Sequence, residues 1–169
     1  MTVALIVLTA GTSWAGDKGQ GEPEVTTLEP PKLAWTEDIQ PTQVMAGETV
    51  LIRIPVVIGR ELHIQANPAS DEFLVPLEVT FESTGDLAFG DPAYPEADAF
   101  LIEGAAEPLA TYHGAIEVAV PVTPAATATP GSRQVTARLR YQACDASRCY
   151  VPADQSFTLT VVVPPPCAR

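Results

Sequence analysis

Along much of this chain the apolar positions recur with a period of two. Val135, Ala137, Leu139, Tyr141 and Ala143 alternate with Thr136, Arg138, Arg140, Gln142 and Cys144. Phe157, Leu159, Val161 and Val163 repeat the pattern. Successive side chains of a strand point to opposite faces, so each run predicts a half-buried strand. The two runs are expected to form a hairpin, with Cys144 and Cys149 at its mouth. Upstream, residues 49–58 form a β-branched run interrupted by Pro55, which predicts an edge position or a bulge. Residues 62–66 alternate and stop at Asn67-Pro68. Residues 74–81 predict a strand with Leu77, Val79 and Phe81 on one face, and residues 111–122 predict a further one.

No stretch carries a helical apolar face. Residues 85–110 contain Gly104 and Pro108 and show no steady alternation, so they are expected to form a long irregular excursion. Long excursions in compact domains often serve function. Short strands separated by regular turn signals predict an all-β chain folded as an immunoglobulin-like β-sandwich. The close cysteine spacing differs from that of antibody domains, whose cysteines lie far apart and pair across sheets.

The ends of the chain read differently. Residues 3–10 are a short apolar run followed by Ser13-Trp14-Ala15, a small-x-small cleavage pattern. Residues 1–15 are therefore expected to be an export signal, although no Lys or Arg precedes the run. The run is too short to span a bilayer. Residues 16–32, rich in Gly, Pro and Glu, are expected to be a flexible leader to a domain over 33–163. Residues 164–169 are expected to be a tail carrying the odd cysteine, Cys167. The expected setting is periplasmic or otherwise exported, with no direct membrane insertion after signal cleavage. The 169 residues carry a net charge of −12, which argues against nucleic acid as a partner.

Chemistry concentrates in Tyr141-Gln142-Ala143-Cys144-Asp145-Ala146-Ser147-Arg148-Cys149-Tyr150-Val151-Pro152. A disulfide across so short a loop adds only about 2 kcal/mol by chain entropy. A chain of this size buries enough apolar surface to fold without it. Two readings stand at this point: a dithiol that opens and closes, or a bridge that pins the mouth of a hairpin inside a non-catalytic binding module. Arg148 beside Cys149 favours a thiolate there, and Asp145 beside Cys144 disfavours one. A zinc or copper site built from both cysteines with His63 and His113 is a weaker alternative, because the histidines lack ligand-like spacing; no metal site is expected. No Ser-His-Asp arrangement, phosphate loop or carboxylate pair stands out.

At these residues the chain resembles the periplasmic amino-terminal domain of the thiol:disulfide interchange protein DsbD. The resemblance is carried by Tyr141-Gln142-Ala143-Cys144 and Cys149-Tyr150-Val151-Pro152. Leu62-His63-Ile64-Gln65-Ala66-Asn67-Pro68 and Tyr112-His113-Gly114 support it, and it covers residues 40–163. It implies a redox carrier without a cofactor. The domain would take electrons from a membrane-linked thioredoxin-like donor and pass them to thioredoxin-fold proteins. Cys149 would form the mixed disulfide, Cys144 would resolve it, and a loop would cap the pair. The family's longer members continue into membrane and thioredoxin-like domains, so the expected donor is a separate membrane electron-transfer protein. Val151 stands where the family often has a first proline. Asp71-Glu72-Phe73 resembles a cap-loop tripeptide but comes too early in the chain. The cap is expected within residues 91–103 instead, with Tyr94 or Phe100 as the covering aromatic.

Overall fold

A computed structural model describes residues 29–34, 39–82 and 85–166. The expected export signal, most of the leader and Cys167 lie outside the described residues. The described chain forms β1 (Thr42–Gln43), β2 (Val50–Val57), β3 (His63–Gln65), β4 (Glu78–Phe81) and β5 (Leu87–Phe89). It continues with β6 (Asp98–Phe100), β7 (Leu109–Tyr112), β8 (Ala115–Pro124), β9 (Gly131–Tyr141), β10 (Ala143–Cys144) and β11 (Ala153–Val163).

The strands pair in three groups, with orders β1-β11-β9-β4, β10-β3-β7-β6 and β2-β8-β5. The expected hairpin is the longest pairing: β9 and β11 run antiparallel from Tyr141 opposite Ala153 to Gly131 opposite Val163. Their inward residues Val135, Ala137, Leu139, Tyr141, Leu159 and Val161 are buried. Ile52, Ile54 and Val56 of β2 and Val118, Val120 and Val122 of β8 meet them in one core, joined by Ile64 and Tyr112. Burying alternate apolar side chains from facing sheets produces the immunoglobulin-like β-sandwich. β2 ends its sheet, as the proline within it requires, since Pro55 has no N–H to donate to a second neighbour.

Four details depart from the sequence pattern, one at a glycine and three because a non-local partner decides. The expected strand over 111–122 is two strands in different sheets, β7 and β8. Gly114, at φ +65°, makes the break in a region that side chains with a Cβ rarely adopt. The expected irregular excursion over 85–110 contains β5 and β6, which find partners on β8 and β7. The strand expected from residue 74 begins at Glu78, because the Val75 N–H bonds the Gln142 side chain instead of a strand. The alternation ending in Cys144 also stops early. Ala143 and Cys144 are both buried, because the chain leaves β9 after Tyr141 and enters another sheet as β10.

Tyr141 ties the start of the described chain to this framework. Its hydroxyl lies 2.9 Å from both the Pro31 carbonyl oxygen and Gln155 Oε1, and Gln155 Oε1 also accepts the Leu33 N–H at 2.9 Å. Replacing Tyr141 with Phe removes the hydroxyl and keeps the ring. The expected result is a loss of about 1 kcal/mol of unfolding free energy in urea, the usual worth of one hydrogen bond. An unchanged midpoint would show that the hydroxyl contributes nothing.

Candidate functional site

The cysteine turn is placed by the sheet change. β9 carries the chain to Tyr141, Gln142 makes the crossing, and β10 pairs with β3, setting Ala143 opposite Ile64 and Cys144 opposite His63. The Gln142 side chain holds the crossing from two directions. Its Oε1 accepts the Val75 N–H at 3.0 Å, and its Nε2 donates to the Tyr150 carbonyl at 3.1 Å. Its own carbonyl accepts the Gln65 N–H at 3.0 Å. The chain then doubles back. Asp145 N–H donates to the Arg148 carbonyl at 2.9 Å, and Tyr150 N–H donates to the Ala143 carbonyl at 2.8 Å. Cys149 returns beside Cys144, and the two sulfurs form a disulfide.

The turn residues Asp, Ala, Ser and Arg suit this tight path, and Asp145 organises it. Its carboxylate accepts the Ser147 N–H and hydroxyl, each at 2.8 Å, the Arg148 N–H at 3.0 Å and the Tyr150 hydroxyl at 2.8 Å. Donors aimed at a carboxylate favour its charged form. These bonds, led by the Ser147 amide, hold the Asp145 carboxyl well below the usual carboxylate range. The Tyr150 hydroxyl is pushed up in turn, chiefly by its bond to Asp145. Arg148, expected to favour a thiolate at Cys149, has its Nε 3.5 Å from Asp145 Oδ2 and its guanidinium 5.7 Å from the centre of the Tyr150 ring. Its charge is thus partly answered within the turn.

The two sulfurs differ in access. Cys144 is fully buried and Cys149 is half-buried. Below them lies Gln65, which is also fully buried; its Nε2 is 3.1 Å from Cys144 Sγ and 3.8 Å from Cys149 Sγ. Beside the turn lies a cavity of about 450 Å³ lined by Glu61, His63, Phe100, Asp145, Ala146 and Ser147. Phe100 stacks on His63, the residue opposite Cys144, with ring centres 3.5 Å apart. The segment after β6 is tied to the turn, since Glu103 N–H donates to the Ala146 carbonyl at 2.9 Å.

Of the two aromatics expected as a cover, the structure brings Phe100 to the cysteine turn. Tyr94 instead packs against the sandwich core, where its hydroxyl accepts the Val79 N–H at 3.1 Å and burial pushes its pKa up. His63 and His113 do come near each other, with ring centres 5.7 Å apart, and His113 Nδ1 lies 3.0 Å from Asp98 Oδ2. Burial, then the neighbouring His113, lowers the His63 pKa, against a smaller opposing effect of Asp98. Among the described residues, no three His, Cys, Asp or Glu side chains gather as a metal site. Gln65 and Gln142 lie in the segments that carry the resemblance, but their roles were not legible in the sequence. A glutamine in an alternating strand reads as an outward polar residue, and only the packing shows that Gln65 turns inward.

A family model for the N-terminal domain of the thiol:disulfide interchange protein DsbD matches residues 34–161. The chain belongs to the DsbD N-terminal family. Among solved structures, it is similar to the reduced N-terminal domain of Neisseria meningitidis DsbD, at 17% identity. That match covers 69% of this chain and 84% of the other, with a TM-score of 0.44. It is also similar to a family 123 glycoside hydrolase from Clostridium perfringens, at 11% identity. That match covers 73% of this chain but 22% of the other, with a TM-score of 0.33. A search of curated proteins finds no match. Among the described residues of this DsbD-family chain, no helix is long and apolar enough to cross a membrane.

The Asp145 bonds set a pH prediction. A carboxyl with a depressed folded-state pKa contributes stability that is present above its unfolded value and lost as pH falls through the folded one. The Ser147 and Arg148 amides should therefore stay protected from hydrogen exchange through mildly acidic pH and lose protection only in stronger acid. In Asp145→Ala these amides should exchange faster already at neutral pH. Equal exchange in both proteins would remove Asp145 from this role.

Proposed function

We propose that this domain is an exported, periplasmic thiol–disulfide exchange carrier working through Cys144 and Cys149. The observation that carries the reading is the unequal burial of the two bonded cysteines: Cys149 is half-buried, and Cys144 is enclosed. Exchange needs attack on one sulfur while the other leaves. A thiolate of a reduced thioredoxin-like donor attacks Cys149 Sγ. The Cys144–Cys149 bond breaks, and Cys144 departs as a thiolate that takes up a proton. The donor's second thiolate then attacks its own sulfur in the mixed disulfide, releasing Cys149, which is protonated in turn. Two electrons have moved, the donor has become a disulfide and this domain a dithiol. The reverse sequence with an oxidised thioredoxin-fold acceptor returns the domain to its starting state. The two sulfurs carry both electrons, so the exchange uses no cofactor.

Residues around the sulfurs support a guarded carrier. Phe100, stacked on His63 and linked through its segment to the cysteine turn, acts as the cap that keeps small thiols from Cys149. Leu101 and Val151 are 60% and 63% exposed and follow Phe100 and Tyr150 in sequence. They give a docking partner apolar surface beside the reactive sulfur.

Incubation with a thioredoxin-fold protein in defined redox buffers tests the reading. Cys149→Ala should lose exchange, and Cys144→Ala should accumulate a mixed disulfide through Cys149, seen by mass spectrometry. If both variants exchange as well as the unaltered protein, the carrier is refuted and a structural bridge in a binding module remains. Phe100→Ala should be reduced several-fold faster by dithiothreitol, with little change in its reaction with a protein partner. An unchanged dithiothreitol rate would remove Phe100 as the cap.

A further inference from the structure

Gln65 Oε1 is the buried side-chain oxygen or nitrogen that lacks a hydrogen-bond partner among the described residues. A buried polar atom without a partner is costly, and native proteins seldom tolerate one without a reason. The other end of the same amide is engaged, since Nε2 points at Cys144 Sγ from 3.1 Å and at Cys149 Sγ from 3.8 Å. A disulfide sulfur is a poor acceptor and has no hydrogen to offer. With the bridge closed, the amide is therefore weakly used at one end and unused at the other.

Backbone bonds hold Gln65 in place on both sides. Its N–H donates to the Gln142 carbonyl and its own carbonyl accepts the Leu77 N–H, both at 3.0 Å. The side chain is wholly enclosed, so the amide cannot turn to water for its missing bond.

We propose that Gln65 stabilises Cys144 as the leaving thiolate of the exchange, and that its amide is fully hydrogen-bonded only when the disulfide is open. The proposal rests on the carrier reading above and assigns the residue that eases its bond-breaking step. When a thiolate attacks Cys149, the electron pair of the broken S–S bond goes to Cys144. That sulfur is buried, and a buried anion without a donor is strongly disfavoured. The Nε2 donor already faces it, and a hydrogen bond to a charged sulfur is far stronger than one to a disulfide. A stabilised leaving thiolate departs faster. After Cys144 takes its proton, the S–H can donate to Oε1, giving the idle oxygen its partner. The amide thus favours the dithiol and raises the reduction potential of the pair.

Gln65→Met tests this, because Met fills nearly the same unbranched volume without donor or acceptor. Equilibration with glutathione should shift the disulfide–dithiol equilibrium of Gln65→Met roughly tenfold toward the disulfide. For a two-electron couple that corresponds to about 30 mV. The pKa of the Cys144 thiol, read in a Cys149→Ala background, should rise. Gln65→Glu, which places a carboxylate against the departing anion, should add a pH-dependent step to the potential that Met does not show. Should Gln65→Met fail to fold, the unaltered protein still decides. The two side-chain Nε2 protons of Gln65 should move in the NMR spectrum on reduction, and their exchange with solvent should slow. An unchanged equilibrium and thiol pKa in a folded Gln65→Met, or amide signals indifferent to reduction, would overturn the proposal. Glutathione equilibration needs no protein partner. A failure to exchange with thioredoxin-fold proteins would thus refute the carrier while leaving the Gln65 result readable.

Discussion

The structure depends on the hold that Gln142 exerts where the chain passes from one sheet to another. β9 belongs to the group built on the long hairpin and β10 to the group built on β3, so a single residue bridges them. A crossing inside a sandwich leaves backbone groups with no ladder to join, and buried groups of that kind need partners. Gln142 supplies them: its side chain serves Val75 and Tyr150, and its carbonyl serves Gln65. The cysteine turn is positioned by this knot. Cys144 is inserted into the interior beside Gln65, and Cys149 is returned toward solvent by the bond from Tyr150 to Ala143.

Much of the framework was legible in the sequence. The alternation in 135–141 and 157–163 marks strands that bury one face, and they pair in full register. Pro55 marked the edge correctly, because a missing N–H is a local fact that any neighbour must respect. What escaped were features decided by distant partners. β5 and β6 are three-residue strands whose sequences do not alternate strongly; they exist because β8 and β7 offer them free backbone groups. The break at Gly114 was hidden because the apolar residues on either side read as one continuous run.

The site was legible in part. The cysteine pair stood out by its spacing, whereas Tyr94 and Phe100 were offered together as cover; the structure sets Phe100 beside the cysteine turn and Tyr94 against the core. A sequence does not show which of two aromatics a few residues apart turns toward a given turn. That choice follows from β6 pairing with β7, which places Phe100 opposite Leu109 and within stacking distance of His63. The charges of the turn were also only half visible. Arg148 and Asp145 read as opposing influences on two cysteines, but they meet each other, and the carboxylate is surrounded by four donors from its own turn.

The edge formed by β2 bears on how the protein behaves when crowded. An open strand edge is a template onto which another chain can add, the first step toward fibrous aggregates. Here the middle of the edge lacks a donor at Pro55, and its far end is occupied by Ala34, which exchanges both backbone hydrogen bonds with Val57. Arg53 adds a charge ion-paired to Glu117 on the adjoining strand. Together these features blunt the edge as a nucleus for amyloid growth.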